Sequence, residues 1–232
     1  MPATLRAVTD RELWKRRALS YGPLTLLAAL LALRAVHGVL LRVGHAGATL
    51  DDSYIHFQYA RAIAEGHPLR FQAGEPFTSG ATSVLWPAIL APFYLVGFRD
   101  EAILWPAWVL SFAALGGLAW EAAKLTEKLA GRAAAVGAGA MVLAFSGFAW
   151  CASSGMEVVP FAWVIARACR KASELAEGEP GARTARGAWE LVGLAWAAAL
   201  FRPEGALFAL FVAFALALYP RRPLLKDRAL GL

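Results

Sequence analysis

The segment Thr49–Trp86, TLDDSYIHFQYARAIAEGHPLRFQAGEPFTSGATSVLW, decides how this chain must be read. It carries two adjacent acids, Asp51 and Asp52, a stretch with helical periodicity, and glycines at 66 and 74. The rest of the chain is apolar enough to sit in lipid. Of its 232 residues 59% are hydrophobic and 17% charged, with a mean hydropathy of +0.50. Soluble domains average about 45–50% apolar and about 25% charged. Apolar runs separated by short basic clusters are the pattern of an all-α polytopic membrane protein. The net charge of +6 fits the same pattern, because the cations lie between apolar runs as in cytoplasmic loops. The lipid bilayer is therefore the expected partner, and nucleic acid is not.

Toward the N-terminus, residues 1–22 form a basic leader with Arg11, Lys15, Arg16 and Arg17, and residues 24–43 form the first transmembrane helix. Ala46-Gly47-Ala48 resembles a signal-peptide cleavage site. The apolar run before it is longer than a usual signal core and contains Arg34 and His37, so an uncleaved anchor is expected. Arg34 and His37 lie one turn apart, facing either a bundle interior or the interface by snorkelling. A cytoplasmic leader places the 44–98 loop outside the cell membrane.

Within that loop Thr49 or Asp51 caps a helix that bears Asp52 in its first turn and stops at Gly66. Ile55, Tyr59, Ala62 and Ile63 form its apolar stripe, opposite Gln58, Arg61 and Glu65, as in a helix lying along a membrane surface. His67–Pro76 turns the chain back. The apolar run 83–98 is short and holds Pro87 and Pro92.

Toward the C-terminus the remaining transmembrane helices fall within 103–219, as runs 103–120, 133–150, 158–168, 188–201 and 206–219. Basic clusters at 124–132, 167–186 and 221–228 mark cytoplasmic turns. An odd number of crossings must then separate Asp51 from Lys124, so one of the runs 83–98 and 103–120 does not cross. The proline-broken 83–98 is expected to be a juxtamembrane or re-entrant helix. With that parity Gly155–Glu157 and Arg202–Glu204 emerge on the same side as Asp51. Cys151 and Cys169 fall on opposite sides, so no intrachain disulfide is expected.

A carboxylate within hydrogen-bond reach of a hydroxyl can serve as a general base, and two adjacent ones can hold a metal or merely cap a helix. Arg202 between two apolar runs suits bidentate phosphate binding, or pairs with Glu204 at the interface. Glu157 can orient either an acceptor or Arg202. Tyr54, Phe57 and Trp86 line a groove or belong to an interfacial aromatic belt. His56, one turn from Asp52, either reaches the site or is a polar surface residue.

The 51–86 segment resembles the first extracytoplasmic loop of a bacterial branch of GT-C fold glycosyltransferases. The matches are Asp51, Asp52, Tyr54, Ile55, Tyr59, Ala60, Arg61, Gly66, Gly74, Glu75, Gly80, Thr82, Ser83, Leu85 and Trp86. Ser154-Gly155-Met156-Glu157 is similar to the branch's SGLE motif, and Arg202-Pro203-Glu204-Gly205 matches its RPEG. Ile63-Ala64, Pro68 and Gln72-Ala73 depart from the pattern. The resemblance implies a GT-C-like helical bundle in the cell inner (cytoplasmic) membrane, with juxtamembrane helices in its first outer loop. It implies an inverting enzyme that uses a polyprenyl-phosphate sugar and a cell-envelope glycan, lipid or protein acceptor on the outer face. Asp51 would be the catalytic carboxylate with Asp52 as partner, sometimes with a divalent cation that these two acids would hold. Arg202 would contact donor phosphate, while Tyr54, Glu75, Trp86, Glu157 and Glu204 would contact substrate. Members of the branch are usually longer, so the chain reads as a truncated or minimal module. The competing reading is a non-catalytic membrane protein that binds lipid-linked sugar or serves a transporter, or an inactive fragment.

Overall fold

A computed structural model describes residues 3–78, 80–177 and 185–218, with side chains described for 22–78, 80–176 and 186–216. Among the described residues the regular structure is entirely helical. The elements are α1 (Ala3–Val43), α2 (Asp52–Ala64), α3 (Leu85–Leu95), α4 (Leu104–Ala144), α5 (Ser146–Ser154), α6 (Val158–Glu177), α7 (Ala185–Phe201) and α8 (Pro203–Leu218). A 3-10 turn at Asp100–Ile103 leads into α4. The segments Gly22–Val43 and Asp100–Ala144 are long and apolar enough to cross a bilayer. The basic cluster at 221–228 and Arg183 lie outside the described residues.

Several expected boundaries move. The leader is not separate from the first apolar run, because α1 continues through Pro23. Arg34 and His37 point away from the other helices, so neither faces the bundle interior. The run 83–98 yields an 11-residue helix, about 16 Å long and roughly half of a hydrocarbon core. The expected loop at 124–132 is instead helical up to Gly131, whose backbone (φ 78°, ψ −179°) breaks α4. A straight helix would hold Ala119 and Gly139 about 30 Å apart. A Cβ on Gly139 would instead stand 3.0 Å from the Ala119 carbonyl, so α4 is a helical hairpin turned at a left-handed residue. The run 133–150 breaks again at Phe145, where α5 begins.

At the far end of α6 the helix does not stop at Ala168 but continues to Glu177. Arg167, Arg170 and Lys171, expected in a loop, lie on helix and are paired. Arg170 binds Glu121 of α4 and Glu174. Arg167 reaches Glu121 at 3.4 Å and Glu190 of α7 at 2.7 Å, and Lys171 reaches Glu190 at 2.8 Å. Three cations and three acids thus join α4, α6 and α7, and Glu121 and Arg170 are buried.

At the opposite end the helices meet on the turn that follows α5. An α-helix leaves its last carbonyls without intrahelical donors, and burial makes an empty acceptor costly. Four successive carbonyls here find side-chain donors. The Trp108 indole N–H donates to Ser153 O (2.7 Å), Ser53 Oγ to Ser154 O (2.7 Å), the Trp86 indole N–H to Gly155 O (2.9 Å) and Ser111 Oγ to Met156 O (3.4 Å). Gly155 adopts φ 79°, and a Cβ there would stand 3.1 Å from both Phe57 and Leu104. The turn is therefore clamped by α2, α3 and α4, with Leu90, Leu104, Ala107 and Leu115 fully buried around it.

Trp86→Phe keeps most of the buried area but strips Gly155 O of its donor, and Ser53→Ala does the same to Ser154 O. Each is expected to cost about 1–3 kcal/mol, read as a lowered denaturation midpoint in detergent. Unchanged midpoints in both variants would show that the clamp does not hold the turn.

Candidate functional site

Helix α2 is bounded by local sequence. Asp51 precedes it, with Oδ1 accepting from Asp52 N at 3.0 Å. At its other end Gly66 N donates to Ile63 O (3.1 Å) and His67 N to Ala62 O (2.7 Å), a Schellman turn. The inward face matches the expected one only in part. Tyr59 and Ala62 of the expected stripe are buried, but Ser53, His56, Phe57 and Ala60 are buried with them, whereas Ile55 and Ile63 are only half-buried. His56 is 2% exposed. It is buried because α2 is pulled inward by Ser53 on one side and packed through Phe57 on the other.

Beneath α2 lies a chain of charged groups from three separate segments. Glu157, directly after the clamped turn, is fully buried. Its Oε1 accepts from Arg202 Nη1 at 2.7 Å, and Arg202 Nη2 donates to Glu204 Oε1 at 3.2 Å. His56 Nε2 approaches Glu157 Oε2 to 3.2 Å and Thr82 Oγ1 to 3.4 Å. The approach to Oε2 misses hydrogen-bond geometry, so Glu157 Oε2 and His56 Nδ1 have no hydrogen-bond partner among the described residues. The expected meeting of Glu157, Arg202 and Glu204 beside α2 is therefore present in the fold. Both expected pairings of Arg202 occur, and Glu157 orients Arg202 rather than facing outward.

The Arg202-Pro203-Glu204-Gly205 sequence has a physical reason at each position. Proline opens α8, where its missing N–H costs nothing. Glu204 is an acid in that first turn and a partner for Arg202. A Cβ on Gly205 would fall 2.0 Å from the Ala198 carbonyl, so only glycine permits this approach of α8 to α7. The Arg202 guanidinium is a quarter exposed, and two of its five donors are committed.

The remaining candidates separate. Asp51 and Asp52 are both exposed at the start of α2. Tyr54 is also exposed, and its hydroxyl accepts from Ala48 N at 3.2 Å. Trp86 lines no groove: it is 1% exposed and spends its N–H on the clamp. Phe57, 3% exposed, forms with Tyr54 part of the wall of a hollow beside α2. The aromatic character of Trp86 suited an interfacial reading, but the turn needed a buried donor. Glu75 sits in the loop after α2, where its backbone is tied to Arg70 and Gln72, and among the described residues it does not bond to the charged chain. Thr82 was not singled out as a site residue, and of the two readings of His56 the structure bears out the one that brings it to the site. The signal that favours that reading is the i+4 spacing of His56 from Asp52 and i+3 from Ser53 on the inward face.

Burial pulls the His56 imidazole below its ordinary pKa of 6.5; Glu157 and Asp52 oppose that shift and Arg202 adds to it. The unfolded chain therefore takes up this proton before the folded one does. The stabilising contribution is complete above pH 6.5 and is lost as the pH falls below it. Thermal midpoints measured between about pH 7.5 and about pH 5.5 should fall for the wild type and fall less for His56→Gln. An identical acid slope in the two proteins would remove His56 from the account. No protein-family model matches this chain, and neither a curated protein nor a solved structure is detectably similar to it, so the functional reading rests on the residues themselves.

Proposed function

We propose that the chain is a membrane-embedded inverting glycosyltransferase module, moving a sugar from a polyprenyl-phosphate donor to an acceptor hydroxyl on the outer face of the cytoplasmic membrane. One observation carries the reading. The helix headed by Asp51 and Asp52 packs on the buried Glu157 that fixes Arg202, although these segments are roughly 100 and 150 residues apart. The outward faces of the helices agree with lipid as solvent: Val109, Met141, Trp196, Leu210 and Phe214 are all more than half exposed. A polytopic bundle with α2 and α3 lying at its outer surface accommodates the short α3 and the pairing of the polar segments.

In the proposed reaction the acceptor oxygen attacks the anomeric carbon while Asp51 takes its proton. The bond from that carbon to the phosphate oxygen breaks, and polyprenyl phosphate departs with the electron pair. A single displacement inverts the anomeric centre. Arg202 offers its free guanidinium donors to the phosphate, whose negative charge grows as the bond breaks. The leaving group is a stable phosphate, so the site needs no strong general acid. Asp51 and Asp52 supply two exposed carboxylates, enough for a Mg²⁺ site completed by phosphate and water. No third acid, histidine or cysteine joins them among the described residues. A divalent cation held there would screen the donor phosphate.

The test is transfer from polyprenyl-phosphate sugars by the purified chain in liposomes. Asp51→Asn should lower turnover by about 10²–10⁴-fold, the usual worth of a general base. Transfer unchanged in that variant would sink the assignment. Donor binding without any transfer by the wild type would favour a lipid-linked-sugar binder.

A further inference from the structure

The face of α2 turned away from His56 has its own chemistry. Asp51, Tyr54, Gln58, Arg61 and Glu65 recur at spacings of three and four, so they form one stripe along the helix. Two adjoining hollows border that stripe. One of roughly 300 Å³ is lined by Tyr54, Gln58, Arg61, Phe71, Tyr94 and Asp100 among others. The other, of roughly 370 Å³, is lined by Arg61, Glu65, Tyr94, Arg99 and Asp100 with two apolar neighbours. Arg61, Tyr94 and Asp100 belong to both, so the hollows form one continuous groove.

We propose that this groove is the acceptor subsite, holding a neutral oligosaccharide along the outer stripe of α2 with its reactive hydroxyl presented to Asp51. The inference rests on the glycosyltransferase reading for the direction in which the acceptor runs. From Asp51 to Arg61 the helix rises about 15 Å, the length of roughly three sugar rings. Tyr54, Phe71 and Tyr94 give the groove aromatic surfaces that match the C–H faces of a sugar. Gln58, Arg61 and Asp100 place donors and acceptors between them, as hydroxyl recognition requires.

Two observations set the class of ligand. The charges balance, with Arg61 and Arg99 against Glu65 and Asp100, and Arg61 Nε is already bound to Glu65 Oε1 at 2.8 Å. A phosphate or uronate would have to compete with that pair. The groove also holds uncommitted polar groups: among the described residues the Tyr94 hydroxyl and the Asp100 carboxylate make no hydrogen bond, although Tyr94 is only 9% exposed. Asp100 further holds a left-handed backbone (φ 51°), a strained state for a residue other than glycine. On this arrangement α2 divides two substrates, the acceptor on the Asp51 stripe and the donor phosphate on the side of Arg202.

The experiment is equilibrium binding of the full chain in detergent to an array of neutral linear tri- to pentasaccharides and matched uronate-containing oligosaccharides. A subset of neutral glycans should be retained, with affinity reduced about tenfold or more in Arg61→Gln and Asp100→Asn and less in Tyr94→Phe. Arg61 is half exposed, so Arg61→Gln does not threaten folding. Retention of no neutral glycan, a preference for uronates, or undiminished binding by both charged-residue variants would overturn the proposal. Binding that follows this pattern without transfer would sink the enzyme reading and leave the groove. Asp51-dependent transfer with unchanged acceptor KM in the groove variants would sink the groove alone.

Discussion

The carbonyls that α5 leaves unpaired at its C-terminus are the constraint on which the site depends. In water such groups would be hydrated; here Ser153–Met156 are packed under α2, α3 and α4, so protein must supply every donor. Two tryptophan indoles and two serine hydroxyls do so. Each donor comes from a different point on the surrounding helices, so satisfying the turn also fixes where those helices stand. Glu157 is the next residue, and it is delivered fully buried beneath α2.

A buried carboxylate requires a counter-charge, and Arg202 is the one that reaches it. An ion pair of this kind adds little net stability relative to apolar packing, but it fixes orientation. The proline and glycine beside Arg202 serve the same end, one starting α8 and the other letting α8 close on α7. The result is an arginine held by two acids and still open on one side. Helix α2 then lies between this arginine and a neutral-balanced groove, with Asp51 and Asp52 at the end common to both faces. The unpartnered Glu157 Oε2 and His56 Nδ1 lie on the arginine side.

Much of this was legible in the residues. The limits of α2 follow from Asp51 and Gly66 and the brevity of α3 from Pro87 and Pro92, and Glu157 and Arg202, expected near each other, do pair. What was not legible depended on partners distant in sequence. The cations at 167–171 looked like loop residues because Glu121 and Glu190, which neutralise them, lie about 50 and 20 residues away. The reversal at Gly131 falls within the turn expected at 124–132, but the basic residues there suggested a longer loop than the single non-helical glycine that makes it. The burial of His56 and Trp86 has a shared reason. Periodicity ranks Ile55, Tyr59, Ala62 and Ile63 as the buried positions; Tyr59 and Ala62 are buried, but hydrogen-bond demand from the Ser153–Met156 carbonyls turns α2 so that Ser53 and His56 go inward in place of Ile55 and Ile63.

The central claim is that the clamped turn and the α7–α8 connection are energetically joined through Glu157 and Arg202. A double-mutant cycle of Glu157→Gln and Arg202→Gln, read as unfolding free energy in detergent, measures that joining directly. The account predicts that each single variant is destabilised and that the pair is non-additive by about 1–3 kcal/mol, the double variant recovering part of the loss. Additive losses, or no loss on removing either group, would contradict it.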